Sequence, residues 1–178
     1  MNNIGLKKGT LEIMDYQDDY PMIYENEKNE LLNIYKDKIS LIEHVGSTSI
    51  KGIKSKPIID ILVLTDDLDD FKTFTESEVE GQTYTVKKEQ TSSGDYLIRK
   101  EEDGKVKAFI HAYKTGDENG LSLILFRDYL NEHEGSRIEY ENIKTRLYEE
   151  YKDDRKQYTA GKNEFITKII DKAKKQKR

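Results

Sequence analysis

Cysteine is absent from the 178-residue chain, which excludes a disulfide framework and any thiolate metal site. Only three histidines are present, so imidazole can add little to a metal site. No apolar run reaches the ~18–20 residues that span a bilayer. The N-terminus has no signal-peptide core. A soluble, cytoplasmic protein without a membrane partner is expected. Tryptophan is also missing, while twelve tyrosines supply aromatic bulk with hydroxyl handles. A formal net charge of −5 argues against bulk attraction to nucleic acid. Lys172, Lys174, Lys175, Lys177 and Arg178 reverse that sign locally. Their simplest reading is a helix end whose cations suit the macrodipole.

Hydrophobic content is low at 35% and charged content high at 37%, yet the apolar residues cluster into periodic segments, so the chain does not read as disordered. Its length fits one domain, residues 1–178, able to bury roughly 70% of its unfolded surface. Leu11 to Tyr16 reads as a short edge strand. Asp18-Asp19-Tyr20-Pro21 starts a helix that runs to about Lys38. Glu27 interrupts the apolar stripe of that helix, four residues from Ile23 and four from Leu31. Leu41–Val45 and Pro57–Leu64 read as strands, the second buried on both faces. A helix is expected near Leu68–Val79, then strands over Gln82–Lys88, Asp95–Lys100 and Lys105–Tyr113. Glu101 to Gly104 forms the last hairpin turn. From about Leu121 the period becomes helical, with segments near 121–132, 136–150 and 161–175. The expected fold is α+β: a mixed sheet with helices (1–116) followed by a helical C-terminal half (117–178), with a cleft between them.

The chemistry concentrates in His44-Val45-Gly46-Ser47-Thr48-Ser49 and Lys56-Pro57-Ile58-Ile59-Asp60-Ile61-Leu62-Val63. A carboxylate in an apolar strand costs free energy unless it has a partner or a ligand. A Gly-Ser turn offers backbone N–H groups and hydroxyls, the groups that hold phosphate. Gly46, Ser47, Thr48 and Ser49 therefore read as a phosphate cradle, with Lys51, Lys54 and Lys56 making the surroundings positive. The competing reading is an ordinary turn capped by a structural Asp60. His44 and His111 read either as a ligand or base near the turn or as half-buried, hydrogen-bonded histidines. Arg127 reads either as a phosphate clamp or as an Arg–Asp pair with Asp128 that fixes helix packing.

These strings resemble a known family. Gly46-Ser47 followed by an Asp inside a hydrophobic strand resembles the signature of the nucleotidyltransferase superfamily. The wider string resembles the GrpB-like family, as do Phe126-Arg127-Asp128-Tyr129-Leu130, Tyr140-x-x-x-Lys144 and Tyr158-x-x-x-Lys162-x-x-Phe165-Ile166. The resemblance implies that Asp60 binds Mg²⁺ or Mn²⁺; Glu27, because it interrupts the apolar stripe, reads either as a further ligand or as a helix carboxylate paired to a nearby lysine. The resemblance also implies that His111, on a neighbouring strand, lies at the place of the superfamily's third metal ligand. Lys144 and Lys162 would join Arg127 on the phosphates of a nucleotide or another phosphate-bearing ligand. Active members carry two acids one residue apart on the strand; here the second position is Leu62. Metal-assisted nucleotidyl transfer and ligand binding without chemistry both remain open.

Overall fold

The computed structural model describes residues 4–72, 78–79, 82–86 and 94–176, and the side chains of residues 4–71 and 94–176. The strands are β1 (Leu6–Lys7), β2 (Leu41–Val45), β3 (Ile59–Thr65), β4 (Glu78–Val79), β5 (Gln82–Val86), β6 (Tyr96–Glu102) and β7 (Lys105–Lys114). They form one sheet in the order β2-β3-β7-β6-β5-β4, with β1 paired to β7. β3 and β7 run parallel, and the other neighbours are antiparallel. The helices are α1 (Tyr20–Tyr35), α2 (Asp69–Lys72), α3 (Glu118–Glu132), α4 (Glu134–Tyr151), α5 (Arg155–Ala160) and α6 (Asn163–Gln176).

The apolar run of β3 makes it a central strand, as its pattern implies. Side chains alternate between faces. Ile59, Ile61 and Val63 join Ile98, Ile110 and the α1 residues Tyr20, Ile23 and Leu31 in one core. Leu62 and Leu64 point the other way, to Val45, Tyr113 and the α3 residues Leu123 and Ile124. Ile59, Ile61, Leu62 and Val63 are all fully buried, each worth roughly 1.5–3 kcal/mol. A further core joins Ile50 and Ile53 of the loop after β2 to Phe126, Tyr140 and Phe165 of the C-terminal helices. The helices therefore pack on the Asp60 side of the sheet, and α1 packs on the other.

Several elements differ from the sequence expectation. Leu11–Tyr16 is not a strand; β1 lies at Leu6–Lys7, and Met14 makes only an isolated bridge to Ser55. The helix expected over Leu68–Val79 is confined to Asp69–Lys72 among the described residues, and Glu78–Val79 is a strand. Residues 73–77 and 87–88 of the expected elements lie outside the described residues. The last hairpin pairs Glu102 with Lys105, leaving Asp103 and Gly104 as a two-residue turn. Both have positive φ, 51° and 70°, as a type I′ turn requires. α3 starts at Glu118, three residues early, because Asp117 caps the Asn119 and Gly120 amides. α5 is an additional helix, capped by Asp154.

Candidate functional site

Asp60 lies near the start of β3, where β2 has just handed the chain to the Gly-Ser turn. Val45 pairs with Asp60, and Ser47–Ser49 forms a single 3-10 turn. Gly46 has φ +70°, and a Cβ placed on it would overlap the Asp60 carboxylate and lie 2.8 Å from its Cβ. Only glycine lets the turn close against this acid. The turn is also tied internally: Ser49 Oγ donates to the Gly46 carbonyl at 2.7 Å.

Register brings β7 alongside. Phe109 pairs with Asp60 and His111 with Leu62, so all four share the α3 face of the sheet. His111 Nε2 is 3.7 Å from Asp60 Oδ1, and His111 Nδ1 is 2.8 Å from Asp95 Oδ2. Asp95 is only 2% exposed. Burial opposes a charged imidazole, but the two flanking carboxylates more than offset it and raise the His111 pKa to about 9. His111 is therefore an imidazolium at neutral pH. Burial alone would raise the Asp60 pKa; His111, Lys56 and Lys162 outweigh it and lower the pKa.

A cleft of about 180 Å³ opens between this corner and the helices. Its polar side carries Gly46, Ser47, Thr48, Lys56, Asp60 and Lys162. Its apolar side is built by Leu123 and Phe126 of α3 and by Ile166 and Ile170 of α6. Tyr140 and Tyr158 complete the wall. Tyr140 stacks on Phe165, and its hydroxyl is 3.5 Å from Ser47 Oγ. Lys162 lies over the Tyr158 ring at 4.5 Å. Neither Lys56 nor Lys162 ion-pairs or hydrogen-bonds through its side chain to a described residue. Burial, then the charges of Lys56 and Arg155, lower the Lys162 pKa to about 8, against the pull of Asp60. Lys56 is lowered by burial and by Arg155, again opposed by Asp60. Arg155 itself lies 5.8 Å over the Phe109 ring.

The chain matches the family model described as GrpB protein over residues 10–172. The chain belongs to the GrpB family. It is 30% identical to the glutamate-rich protein GrpB of Alkalihalophilus pseudofirmus, over 94% of this chain and 98% of that one. It is 32% identical to UPF0157 protein YqkA of Bacillus subtilis, over 96% of this chain but only 49% of YqkA. The crystal structure of conserved protein GrpB from Enterococcus faecalis superposes with a TM-score of 0.79 at 27% identity, covering 93% of this chain and 98% of that one. The GrpB family is placed in the nucleotidyltransferase superfamily.

In this GrpB-family chain, the structure brings Gly46, Ser47, Thr48, Lys56, Asp60 and Lys162 to one cleft, with His111 beside Asp60. Ser49 serves the turn through its bond to Gly46. Lys144 does not line the cleft. It is 1% exposed, lies 4.6 Å over the Tyr140 ring and donates to the Lys54 carbonyl. Burial and the charge of Lys162 lower its pKa to about 7. Glu141 accepts from the Lys54 amide at 3.0 Å, so α4 holds both sides of that residue, two before Lys56. Arg127 is engaged by Glu43 at 2.7 Å, the His44 carbonyl at 2.8 Å and Asp128 at 2.8 Å, which is the packing role. His44 stacks on Tyr24, its Nε2 is 3.0 Å from Thr48 Oγ1, and burial lowers its pKa to about 4. It is the neutral, structural histidine.

Glu27 lies across the sheet from Asp60. It binds Lys100 Nζ at 2.9 and 2.7 Å, and Glu30 takes the same amine at 2.7 Å. Its interruption of the apolar stripe answers to a buried lysine. The divalent ions that the superfamily implies do not fit these residues. Asp60 has Leu62 where the second acid belongs, and Glu27 faces away and is engaged by Lys100. Among the described residues, no three His, Cys, Asp or Glu side chains form a metal-holding group. Asp95, Phe109, Tyr140, Tyr158 and Arg155 were missed from sequence. Only Tyr140 and Tyr158 carried a signal, as the leading residues of the two Tyr-x-x-x-Lys strings.

Proposed function

We propose that this chain binds a phosphate-bearing small molecule, nucleotides included, in the cleft between the Gly-Ser turn and the C-terminal helices. One observation carries the reading: Lys56 and Lys162 converge there without ion-pair partners among the described residues, next to Arg155, in a chain of net charge −5. Clustered, partly desolvated cations cost free energy; Asp60, shared with His111, offsets part of their charge, and an anionic ligand supplies the rest. Ser47 and Thr48 add hydroxyls on the same wall. Metal-assisted nucleotidyl transfer is the weaker reading, since it needs a second carboxylate where Leu62 stands.

Thermal unfolding with a panel of nucleotides and inorganic phosphates, with and without Mg²⁺ or Mn²⁺, tests this. At a hundredfold excess over the dissociation constant, the ligand should add ~2.7 kcal/mol. For a domain of this size the midpoint should rise by roughly 5–10 °C. The rise should vanish in Lys56→Gln/Lys162→Gln and persist in EDTA. If no phosphate compound at millimolar concentration moves the midpoint, the reading is wrong.

A further inference from the structure

We infer that the ligand is a hydroxylated phosphomonoester, a sugar phosphate or nucleoside monophosphate, bound without metal. This rests on the phosphate reading of the cleft and narrows it. Size is the first argument. The cleft holds about 180 Å³, below the ~300–1,000 Å³ of sites that enclose drug-sized ligands. Its enclosed part has room for a phosphate and part of a sugar; the base of a nucleotide would lie outside it, and a triphosphate chain would not fit within it.

Charge is the second argument. A phosphomonoester carries roughly −1.5 to −2 at neutral pH, which two lysines can match directly. A triphosphate carries more charge and normally travels with a divalent ion, for which these residues build no site.

Asp60 is the third argument, and it supplies the specificity. An ionised carboxylate only accepts hydrogen bonds. Beside a phosphate it repels, so it has a role only if the ligand also brings a donor. The side chain is 31% exposed on the cleft side and fixed between Gly46 and His111. A ligand hydroxyl is the neutral donor that fits this acceptor without cancelling the charge match at the lysines. Opposite it, Phe126, Ile166 and Ile170 offer an apolar surface for the C–H face of a sugar ring. Phosphate on the lysines, hydroxyl on Asp60 and ring on the helices together describe one small molecule.

Isothermal titration in EDTA separates the outcomes. The probes are ribose 5-phosphate, AMP, ribose, adenosine, inorganic phosphate and, in a parallel run, ATP with Mg²⁺. Ribose 5-phosphate or AMP should bind at least tenfold more tightly than inorganic phosphate, ribose or adenosine. The ratio of AMP to ribose 5-phosphate tells a nucleotide from a sugar phosphate. Asp60→Asn should weaken the monoesters at least tenfold and leave inorganic phosphate equal or better. Should that variant not fold, 2-deoxyribose 5-phosphate and 3-deoxyribose 5-phosphate on the natural chain test the same contact, and at least one should bind more weakly than ribose 5-phosphate. Tighter binding of ATP with Mg²⁺, or equal binding of inorganic phosphate and the monoesters, overturns this inference and leaves the phosphate site standing. Binding by none of the phosphate compounds overturns both.

Discussion

Gly46 and Asp60 occupy each other's space. The glycine of the Gly-Ser turn therefore serves the carboxylate packed on it, and any phosphate meets the result. Gly46→Ala should destabilise the chain by roughly 1–3 kcal/mol, from its φ of +70° and from the clash with Asp60. The part due to the carboxylate should return in Gly46→Ala/Asp60→Ala, while the part due to the Asp60 Cβ, 2.8 Å away, should return only in Gly46→Ala/Asp60→Gly. Urea unfolding of the natural chain, the single variants and the double variants reads these cycles, and strictly additive losses would show that the two residues do not compete. His111 makes the second case. Its pKa rises from 6.5 to about 9 on folding, on the order of 3 kcal/mol. A raised folded pKa stabilises fully below 6.5, and the contribution is lost as pH climbs through about 9. The stability advantage of the natural chain over His111→Gln should therefore shrink between those values. In an NMR titration the His111 midpoint should lie near 9 and drop in both Asp60→Asn and Asp95→Asn. A midpoint near 6.5 in the natural chain would remove the imidazolium.

At the scale of elements, the strongest local patterns were legible. The apolar run of β3, the Asp103-Gly104 turn and the stripe of α1 each carry their cause in adjacent residues. β1 and β4, two residues each, are too short to show a period, and α5 is barely longer than one turn. The candidate site divides the same way. Gly46, Ser47, Asp60 and Lys162 stood out through their local strings. Asp95 and Arg155 did not, because only the β6–β7 register and the path of α5 bring them near Asp60. Glu27 was conspicuous either as a metal ligand or as a partner for a lysine; the structure gives it a lysine, but Lys100 lies on a strand 73 residues away and not on its own helix. α1 and β6 are joined by this bridge, with Lys100 3% exposed. Glu27→Leu should cost about 2 kcal/mol, less than the ~3–5 of a lone buried pair because Glu30 still holds the amine. Glu27→Leu/Lys100→Leu should regain most of that. Denaturant midpoints decide, and a neutral single variant would make the bridge irrelevant to stability.

Over the whole molecule the charge is acidic, yet cations gather at one cleft. Ligand binding there should be steeply dependent on pH. Lys162 loses its proton at about 8, so the affinity for ribose 5-phosphate should fall as pH rises past that value. Below about 6 the phosphate itself becomes a monoanion and affinity should fall again. Lys162→Arg should keep the acidic limb and move the alkaline one up toward the His111 value of about 9, because guanidinium stays charged. An unchanged alkaline limb in that variant would assign the titration to another group. The parallel pairing of β3 with β7 has a different consequence, for the order of assembly. β5, β6 and β7 pair antiparallel in sequence order and can zip locally, whereas β3 reaches β7 only after the whole intervening chain is looped out, the slow kind of contact. Until that seam closes, Ile61 and Ile110 lack each other, and two sheet edges stand bare. Asp60 and His111 lie on opposite sides of the same seam. A chain caught in this half-zipped state would therefore lack the cleft and be prone to aggregate, and the cleft would be among the last parts of the molecule to exist.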